Sequence, residues 1–155
     1  MTGWLAGQDN DVENDDSYTD FVKTVDTVIM GWTTYRQIVE ELSPGQWVYD
    51  GLQSYVVTHR DCPQDSNVTF VSEDPCTLVN GLKQKDGKDI WVCGGADIVH
   101  QLMQNNLIDI YSISIIPTIL GNGIRLFDVI DKTIDLRFIS SKSSNGIVEL
   151  VYQKR

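Results

Sequence analysis

The 155-residue sequence lacks the features that mark several large classes of protein. No apolar run approaches the ~18 residues that are needed to cross a bilayer, and residues 1–11 carry neither the basic start nor the apolar stretch of a signal peptide. The three cysteines, Cys62, Cys76 and Cys93, have no CxxC spacing. With only two histidines, no zinc site is evident, and a zinc-dependent deaminase is excluded. We therefore expect no metal, free thiols and a cytoplasmic location.

Positive charge is also scarce. Twelve Lys and Arg residues stand against 22 Asp and Glu residues, which gives a net charge of −10. Such a surface repels nucleic acid and anionic membranes, so we expect neither as a partner. An anionic ligand can bind only where backbone N–H groups or a few local cations gather. The length and an apolar content of 41% predict a single domain over residues 1–155.

The first two thirds of the chain alternate between compact apolar runs and segments of helical spacing. After an acidic loop and short helix at 8–20, the pattern predicts strands at 25–30, 54–58, 68–71 and 90–93, and helices at 33–42, 75–83 and 97–104. Strands that are apolar throughout and alternate with helices favour a mainly parallel sheet covered on both faces.

The last third predicts three further strands, at 110–116, 136–140 and 147–152. The last two are separated by Ser144, Asn145 and Gly146, and Asn-Gly tolerates the positive φ of a hairpin turn. We therefore predict an α/β fold, a three-layer α/β/α sandwich. Its mixed, mainly parallel sheet ends in an antiparallel C-terminal hairpin.

Two strand-to-helix junctions carry glycine, in the segments 29–35 (IMGWTTY) and 90–97 (IWVCGGAD). Glycine lets the backbone turn sharply there, and a helix that begins at once presents unpaired N–H groups suited to a phosphate. In open α/β sheets, ligands bind beyond the carboxyl ends of the strands. Two such junctions could hold the two phosphates of a dinucleotide. Alternatively, both are tight turns without a ligand, and the GxGxxG fingerprint is absent.

These segments resemble motifs of the dihydrofolate reductase superfamily. Residues 28–35 resemble its strand–Gly–x–x–Thr–aromatic motif, and residues 90–103 its strand–Gly–Gly–helix motif. Residues 107–127 resemble the closing segment of the reductase (C-terminal) domain of the bacterial bifunctional riboflavin-biosynthesis deaminase-reductase, and residues 3–7 resemble the first loop of that branch. The resemblance spans nearly the whole chain and implies a stand-alone relative with a dihydrofolate reductase-like fold.

The resemblance implies NADPH as the cofactor. The residues that it would place against the cofactor are Gly31, Thr33 and Thr34 at the first junction and Gly94, Gly95, Ala96, Asp97 and Ile98 at the second. The family often has a cis peptide between the paired glycines, so we predict one here. Thr58, His59 and Arg60 follow the strand where the family tends to hold the adenosine and its 2′-phosphate. Arg60 supplies a planar cation and His59 a donor, although both could be solvated turn residues.

Two features depart from the family pattern. Trp32 stands where the family commonly has Arg; it could stack on the adenine or cap the pocket, or it could be a packing residue. The family's first strand, at the centre of the sheet, has no counterpart here, because Met1 falls where that strand should have ended. We expect this strand to come from upstream sequence, or its place to be filled by another segment or a partner chain.

For hydride transfer the cofactor carries the chemistry, and a proton must come from a carboxylic acid or from water. Asp16 and Asp20 are candidate catalytic groups, with a solvated acidic loop as the alternative. Trp4 and Leu5 of the first loop, and Tyr18 and Phe21 of the first helix, are candidate substrate contacts that could equally be core.

The resemblance thus implies an NADPH-dependent reductase of a small heterocycle. The substrate would be either a pterin such as dihydrofolate or a ribosylamino-pyrimidinone of riboflavin biosynthesis. A homodimer is expected, formed through the C-terminal strands. The alternative is a non-catalytic relative that binds a nucleotide or serves as a structural dimer.

Overall fold

The computed structural model of the chain describes residues 17–155. Three of the predicted site residues, Trp4, Leu5 and Asp16, lie outside the described residues. The helices are α1 (Ser17–Thr24), α2 (Trp32–Gln37), α3 (Pro75–Lys83) and α4 (Ala96–Gln104). The strands are β1 (Val25–Gly31), β2 (Gln53–Val57), β3 (Thr69–Val71), β4 (Asp89–Gly94), β5 (Ile110–Ile115), β6 (Leu136–Ser144) and β7 (Ile147–Lys154).

The strands confirm the predicted change from parallel to antiparallel pairing. The first four form a parallel sheet in the order β3-β2-β1-β4, and the last three form an antiparallel sheet in the order β5-β7-β6. Asn145 (φ 48°) and Gly146 (φ 76°) join β6 to β7 in the left-handed conformation that the Asn-Gly pair predicted.

Strand β1 is buried on both faces, which explains the apolar run at residues 28–30. Val28 and Met30 pack on one side with Tyr35 of α2, whereas Ile29 packs on the other side with Leu102 of α4 and the buried face of α3. Alternate residues of a strand point to opposite faces, so the two apolar clusters lie on opposite sides of the sheet. The predicted three-layer arrangement is confirmed.

Two elements differ in extent from the prediction. The helix predicted at 33–42 is α-helical only over α2, and it continues as a π-helical turn over Ile38–Leu42 that Ser43 closes by donating its N–H to the carbonyl of Ile38 at 2.8 Å. Strand β6 runs four residues beyond its predicted end at Ser140 because it pairs with β7 as far as the turn. The serine-rich stretch lacks the apolar alternation that would have predicted this extension.

The parallel and antiparallel sheets face each other across a cleft of about 1660 Å³. Strand β4 pairs with β1 alone and β5 with β7 alone, so within residues 17–155 no strand bonds to the second edge of either. Both strands line the cleft. Within residues 17–155, the two sheets are therefore separate at β4 and β5, and the expectation of a further strand between them stays a prediction.

Candidate functional site

Three neighbouring strands end along one edge of the parallel sheet. Gly31 at the end of β1 lies opposite Val57 at the end of β2, and Met30 lies opposite Gly94 at the end of β4. Because the sheet order is β2-β1-β4, the segment that follows β1 lies between the other two. Parallel pairing therefore brings together the three segments predicted to contact a cofactor, although they are distant in sequence.

The two glycine junctions touch each other. A β-carbon on Gly31 would lie 3.4 Å from Cδ1 of Ile98 in α4, and one on Gly95 would lie 3.6 Å from Oγ1 of Thr34 in α2. Gly94 has φ +135°, which L side chains rarely adopt. The peptide between Gly94 and Gly95 is cis, as the resemblance implied. Glycine at these positions lets the backbones of β1 and β4 approach the helices closely.

Both helices at these junctions begin without a side-chain cap. Gly31 is the residue before α2 and Gly95 the residue before α4, and neither helix receives a capping bond from a side chain. The first N–H groups of a helix need partners from elsewhere and carry partial positive charge, so an anion suits them. Asp97, in the first turn of α4, is exposed and accepts a hydrogen bond from the side chain of Gln101 at 2.9 Å.

A tight turn after β2 brings a cation to the same edge. Thr58 is buried, donates its N–H to the carbonyl of Val71 at 2.8 Å, and accepts the N–H of Arg60 at Oγ1 at 3.2 Å. His59 and Arg60 are exposed. The guanidinium carbon of Arg60 lies 5.7 Å from the ring centroid of Trp32, within cation–π range. Arg60 therefore lies beside the first glycine junction.

Trp32 itself is half-buried and packs on the parallel sheet, as the packing alternative anticipated. Its ring centroid lies 5.6 Å from that of Tyr35 and 6.3 Å from that of Phe70. These two rings contact the indole. A side cavity of about 340 Å³ is lined by the indole and by residues 62–66. The indole thus has fixed packing partners as well as a contact with the Arg60 guanidinium.

A polar contact ties α2 to the loop that carries Arg60. The Tyr35 hydroxyl donates a hydrogen bond to Oδ2 of Asp65 at 2.7 Å. The pKa of Tyr35 is raised to about 12, mainly because the hydroxyl is removed from water and secondly because it bonds Asp65. The pKa of Asp65 is lowered, mainly by the hydrogen bond from the backbone N–H of Asn67 and secondly by the one from the Tyr35 hydroxyl. The loop that starts at the end of β2 is therefore anchored to the helix that starts at the end of β1.

Aromatic side chains line the cleft near the paired glycines. Phe21 and Tyr18 of α1 meet Trp91 of β4 edge-on, with ring centroids 5.1 and 6.3 Å away, and all three line the cleft together with Gly94 and Gly95. Of the predicted substrate contacts, the structure thus brings Tyr18 and Phe21 to the same cleft as the second junction. A flat ring could stack on such a wall.

Two residues next to Trp91 were not among the predicted site residues: Cys93, which also lines the cleft, and Tyr49. The Tyr49 hydroxyl lies 3.3 Å from Sγ of Cys93, and the Tyr49 ring centroid lies 5.0 Å from that of Trp91. Burial raises the pKa of Tyr49 and of Cys93, and it also raises the pKa of Tyr18. These groups stay protonated at neutral pH, so this part of the cleft is uncharged. Tyr49 follows a stretch without periodicity and gave no sequence signal, whereas Cys93 could have been noticed as the residue before Gly94.

Asp20, the predicted catalytic carboxylate on α1, lies in solvent and not in the cleft. Asp20 is exposed and bonds the ammonium group of Lys23 at 2.8 Å, and this hydrogen bond lowers its pKa. Asp20 is absent from the cleft lining, which α1 supplies through Tyr18, Phe21 and Thr24. Within the described residues, no group of three His, Cys, Asp or Glu side chains could hold a metal ion. Of the helices in that part of the chain, none is long and apolar enough to span a membrane.

A family model and two relatives match nearly the whole chain. The sequence model described as RibD C-terminal domain matches residues 4–148. The uncharacterized Bacillus subtilis (strain 168) protein YwjB is 37% identical over 161 residues, which cover 98% of this chain and 91% of that protein. A second uncharacterized protein of that organism, YyaP, is 28% identical over 167 residues, which cover 98% of this chain and 89% of YyaP.

Solved structures share the fold at low sequence identity. A Shewanella sp. PV-4 protein described as a riboflavin biosynthesis protein superposes with a TM-score of 0.84 at 20% identity, covering 98% of this chain and 86% of that one. A pyrimidine reductase-like protein from Corynebacterium diphtheriae superposes with a TM-score of 0.62 at 16% identity, covering 94% of this chain and 82% of that one.

Proposed function

Because the chain belongs to the RibD C-terminal domain family, we propose that it is an NADPH-dependent reductase that delivers hydride to a small heterocycle. Of the two predicted substrate classes, the structural relatives favour the second: one is described as pyrimidine reductase-like and another as a riboflavin biosynthesis protein. The proposed substrate is therefore a ribosylamino-pyrimidinone, with a pterin as the second candidate within the same reaction type.

The observation that carries this proposal is the line of three strand ends along the edge formed by β2, β1 and β4. The pyrophosphate of the cofactor would lie on Gly31–Thr34 and on the start of α4, where N–H groups lack side-chain caps. Its 2′-phosphate would reach His59 and Arg60. The donor set fits an elongated nucleotide with several phosphate charges, since the edge combines helix N-termini with an exposed guanidinium.

NADPH, when bound, supplies the hydride. The residues of this chain would bind and orient it and exclude water. The aromatic wall of Tyr18, Phe21 and Trp91 would hold the flat ring of the substrate beside Gly94 and Gly95. Asp20 is exposed, does not line the cleft, and has its pKa lowered by its hydrogen bond with Lys23, so the proton that follows the hydride would come from water or from Asp16.

A non-catalytic nucleotide-binding relative is the second candidate. Two observations favour it: Trp32 replaces the Arg that the family commonly has, and among residues 17–155 no strand joins β4 to β5 beside the paired glycines. Such a protein would bind NADPH without consuming it. The two candidates therefore differ in turnover and not in cofactor binding.

The test is a two-step assay on the full chain. Isothermal titration first compares NADPH with NADH. Loss of NADPH absorbance is then followed with a ribosylamino-pyrimidinone or with dihydrofolate as substrate. NADPH-selective binding with consumption of one substrate supports the reductase. Selective binding without consumption of either favours the non-catalytic relative, and no binding of either nucleotide contradicts both.

A further inference from the structure

The three strand-end segments, 31–34, 58–60 and 94–98, contain one Lys or Arg between them, which is Arg60. Its guanidinium is exposed, and no carboxylate of the described part of the chain forms a salt bridge with it. By contrast, Arg36, which lies one helical turn after Trp32 in α2, forms a salt bridge with Glu40, with 3.8 Å between its Nε and Oε2 of Glu40. Arg60 instead faces an aromatic ring, the indole of Trp32. Among residues 17–155, its charge is therefore held at the site without a carboxylate partner.

The indole is a rigid support for this guanidinium. Tyr35 and Phe70 contact the Trp32 ring, and Tyr35 is in turn fixed by its bond to Asp65. A free arginine side chain samples many rotamers, and ordering it on binding an anion costs conformational entropy. A guanidinium held over a fixed ring, here 5.7 Å from its centroid, has lost part of that freedom beforehand, yet it keeps its N–H donors for a phosphate.

From this geometry we infer that Trp32 is a positioning residue that holds Arg60 where the 2′-phosphate of the nucleotide would bind. Trp32 thereby sets the preference for an adenosine that carries a 2′-phosphate over one that does not. This inference rests on the proposed function and deepens it. Position 32 is where the resembling family commonly has Arg. Here the cation comes from the end of β2 and not from the start of α2, and the side chain at position 32 acts on the 2′-phosphate only through Arg60.

The test is a double-mutant cycle on the full chain with two probes that require no turnover. Adenosine 2′,5′-bisphosphate and adenosine 5′-monophosphate are titrated calorimetrically into wild type, Trp32→Leu, Arg60→Ala and the double variant. The readout is the ratio of the two dissociation constants. Leucine keeps an apolar contact with Tyr35 and Phe70 but removes the π face. Trp32→Phe keeps a ring, and Arg137→Ala on exposed β6 is the matched control for loss of one positive charge.

We expect Trp32→Leu to lower the preference for the bisphosphate by about two- to fivefold, the range of an exposed cation–π contact. Trp32→Phe should retain most of the preference for the bisphosphate, and Arg137→Ala should leave that preference unchanged. In the Arg60→Ala background, Trp32→Leu should have no further effect, since the contact that it removes is already gone.

Equal effects of Trp32→Leu in both backgrounds would overturn the inference, because Trp32 would then act on the nucleotide directly. A wild-type preference that survives Trp32→Leu would overturn it as well, while leaving the proposed function intact. If wild type binds neither probe and does not bind NADPH, the proposed function fails and the inference falls with it. Thermal unfolding of each variant shows that the comparison is made between folded proteins.

Discussion

Thr34 and Gly94 face each other across the two glycine junctions: a β-carbon on Gly94 would lie 3.7 Å from the Thr34 Oγ1. The start of α2 and the end of β4 therefore share one surface. In the proposed complex, the cofactor phosphates would approach backbone N–H groups on both sides of this contact. A side chain at Gly94 would stand in that path, and its backbone would also be strained.

We predict that Gly94→Ala destabilises the protein by about 1–3 kcal/mol, since φ +135° is a region that L side chains rarely adopt. Urea unfolding measures the change. The control is Gly81→Ala in α3, where nothing lies within 4 Å of the added carbon. Helix propensity should make that variant more stable by about 0.5–1 kcal/mol. A Gly94→Ala protein as stable as wild type would contradict the prediction.

The sequence predicted the two glycine junctions because their signals are local. An apolar run, a glycine and a helical period follow one another within eight residues at 28–35, and again at 90–97. Parallel pairing then dictates that both junctions reach the same edge. The resemblance added Thr58, His59 and Arg60, which local pattern alone left equally open to a solvated turn.

The parts that the sequence could not predict depend on non-local contacts. Tyr49 and Cys93 are 44 residues apart, and Tyr35 and Asp65 are 30 residues apart, so neither pair leaves a pattern along the chain. The same holds for the approach of Arg60 to Trp32. Packing between strand ends determines these contacts, and packing follows from the register of the sheet.

The hydrogen bond from Tyr35 to Asp65 predicts a pH dependence of stability. The pKa of Tyr35 is raised from 10.0 to about 12, so its contribution is fully present below pH 10 and is lost as the pH rises towards 12. The pKa of Asp65 is lowered from 3.8, so its contribution is present above pH 3.8 and is lost as the pH falls through the lower folded value.

Tyr35→Phe should therefore flatten the alkaline decline in unfolding free energy relative to wild type. Chemical denaturation at a series of pH values between 8 and 12 measures it, with Tyr152→Phe in β7 as the control. An unchanged slope in Tyr35→Phe would contradict the prediction. The result bears on the site because this hydrogen bond anchors the loop that carries Arg60.

We also propose that the chain forms a homodimer through its C-terminal region. Ile119 and Ile124 are 98% and 92% exposed, and Phe138 on the neighbouring β6 is exposed as well. Large exposed apolar side chains are typical of association surfaces when they form a contiguous patch. Light scattering should give twice the chain mass of 17.5 kDa.

Replacing Ile119 and Ile124 together by Asp should shift the protein towards the monomer by placing like charges in the interface. The control is Leu42→Asp, which adds a charge at a 51% exposed position in the π-helical turn after α2. A wild-type protein with the mass of one chain at micromolar concentration would refute the dimer.

NADPH-selective binding through Arg60 is tested most directly by the ratio of the dissociation constants for NADPH and NADH, measured on wild type and on Arg60→Ala. We predict that wild type binds NADPH saturably and prefers it over NADH. In Arg60→Ala this preference should fall by about tenfold or more, the effect of one charge-assisted hydrogen bond of about 1.5–3 kcal/mol. Equal affinity for the two nucleotides in wild type, or a preference that Arg60→Ala leaves unchanged, would contradict it.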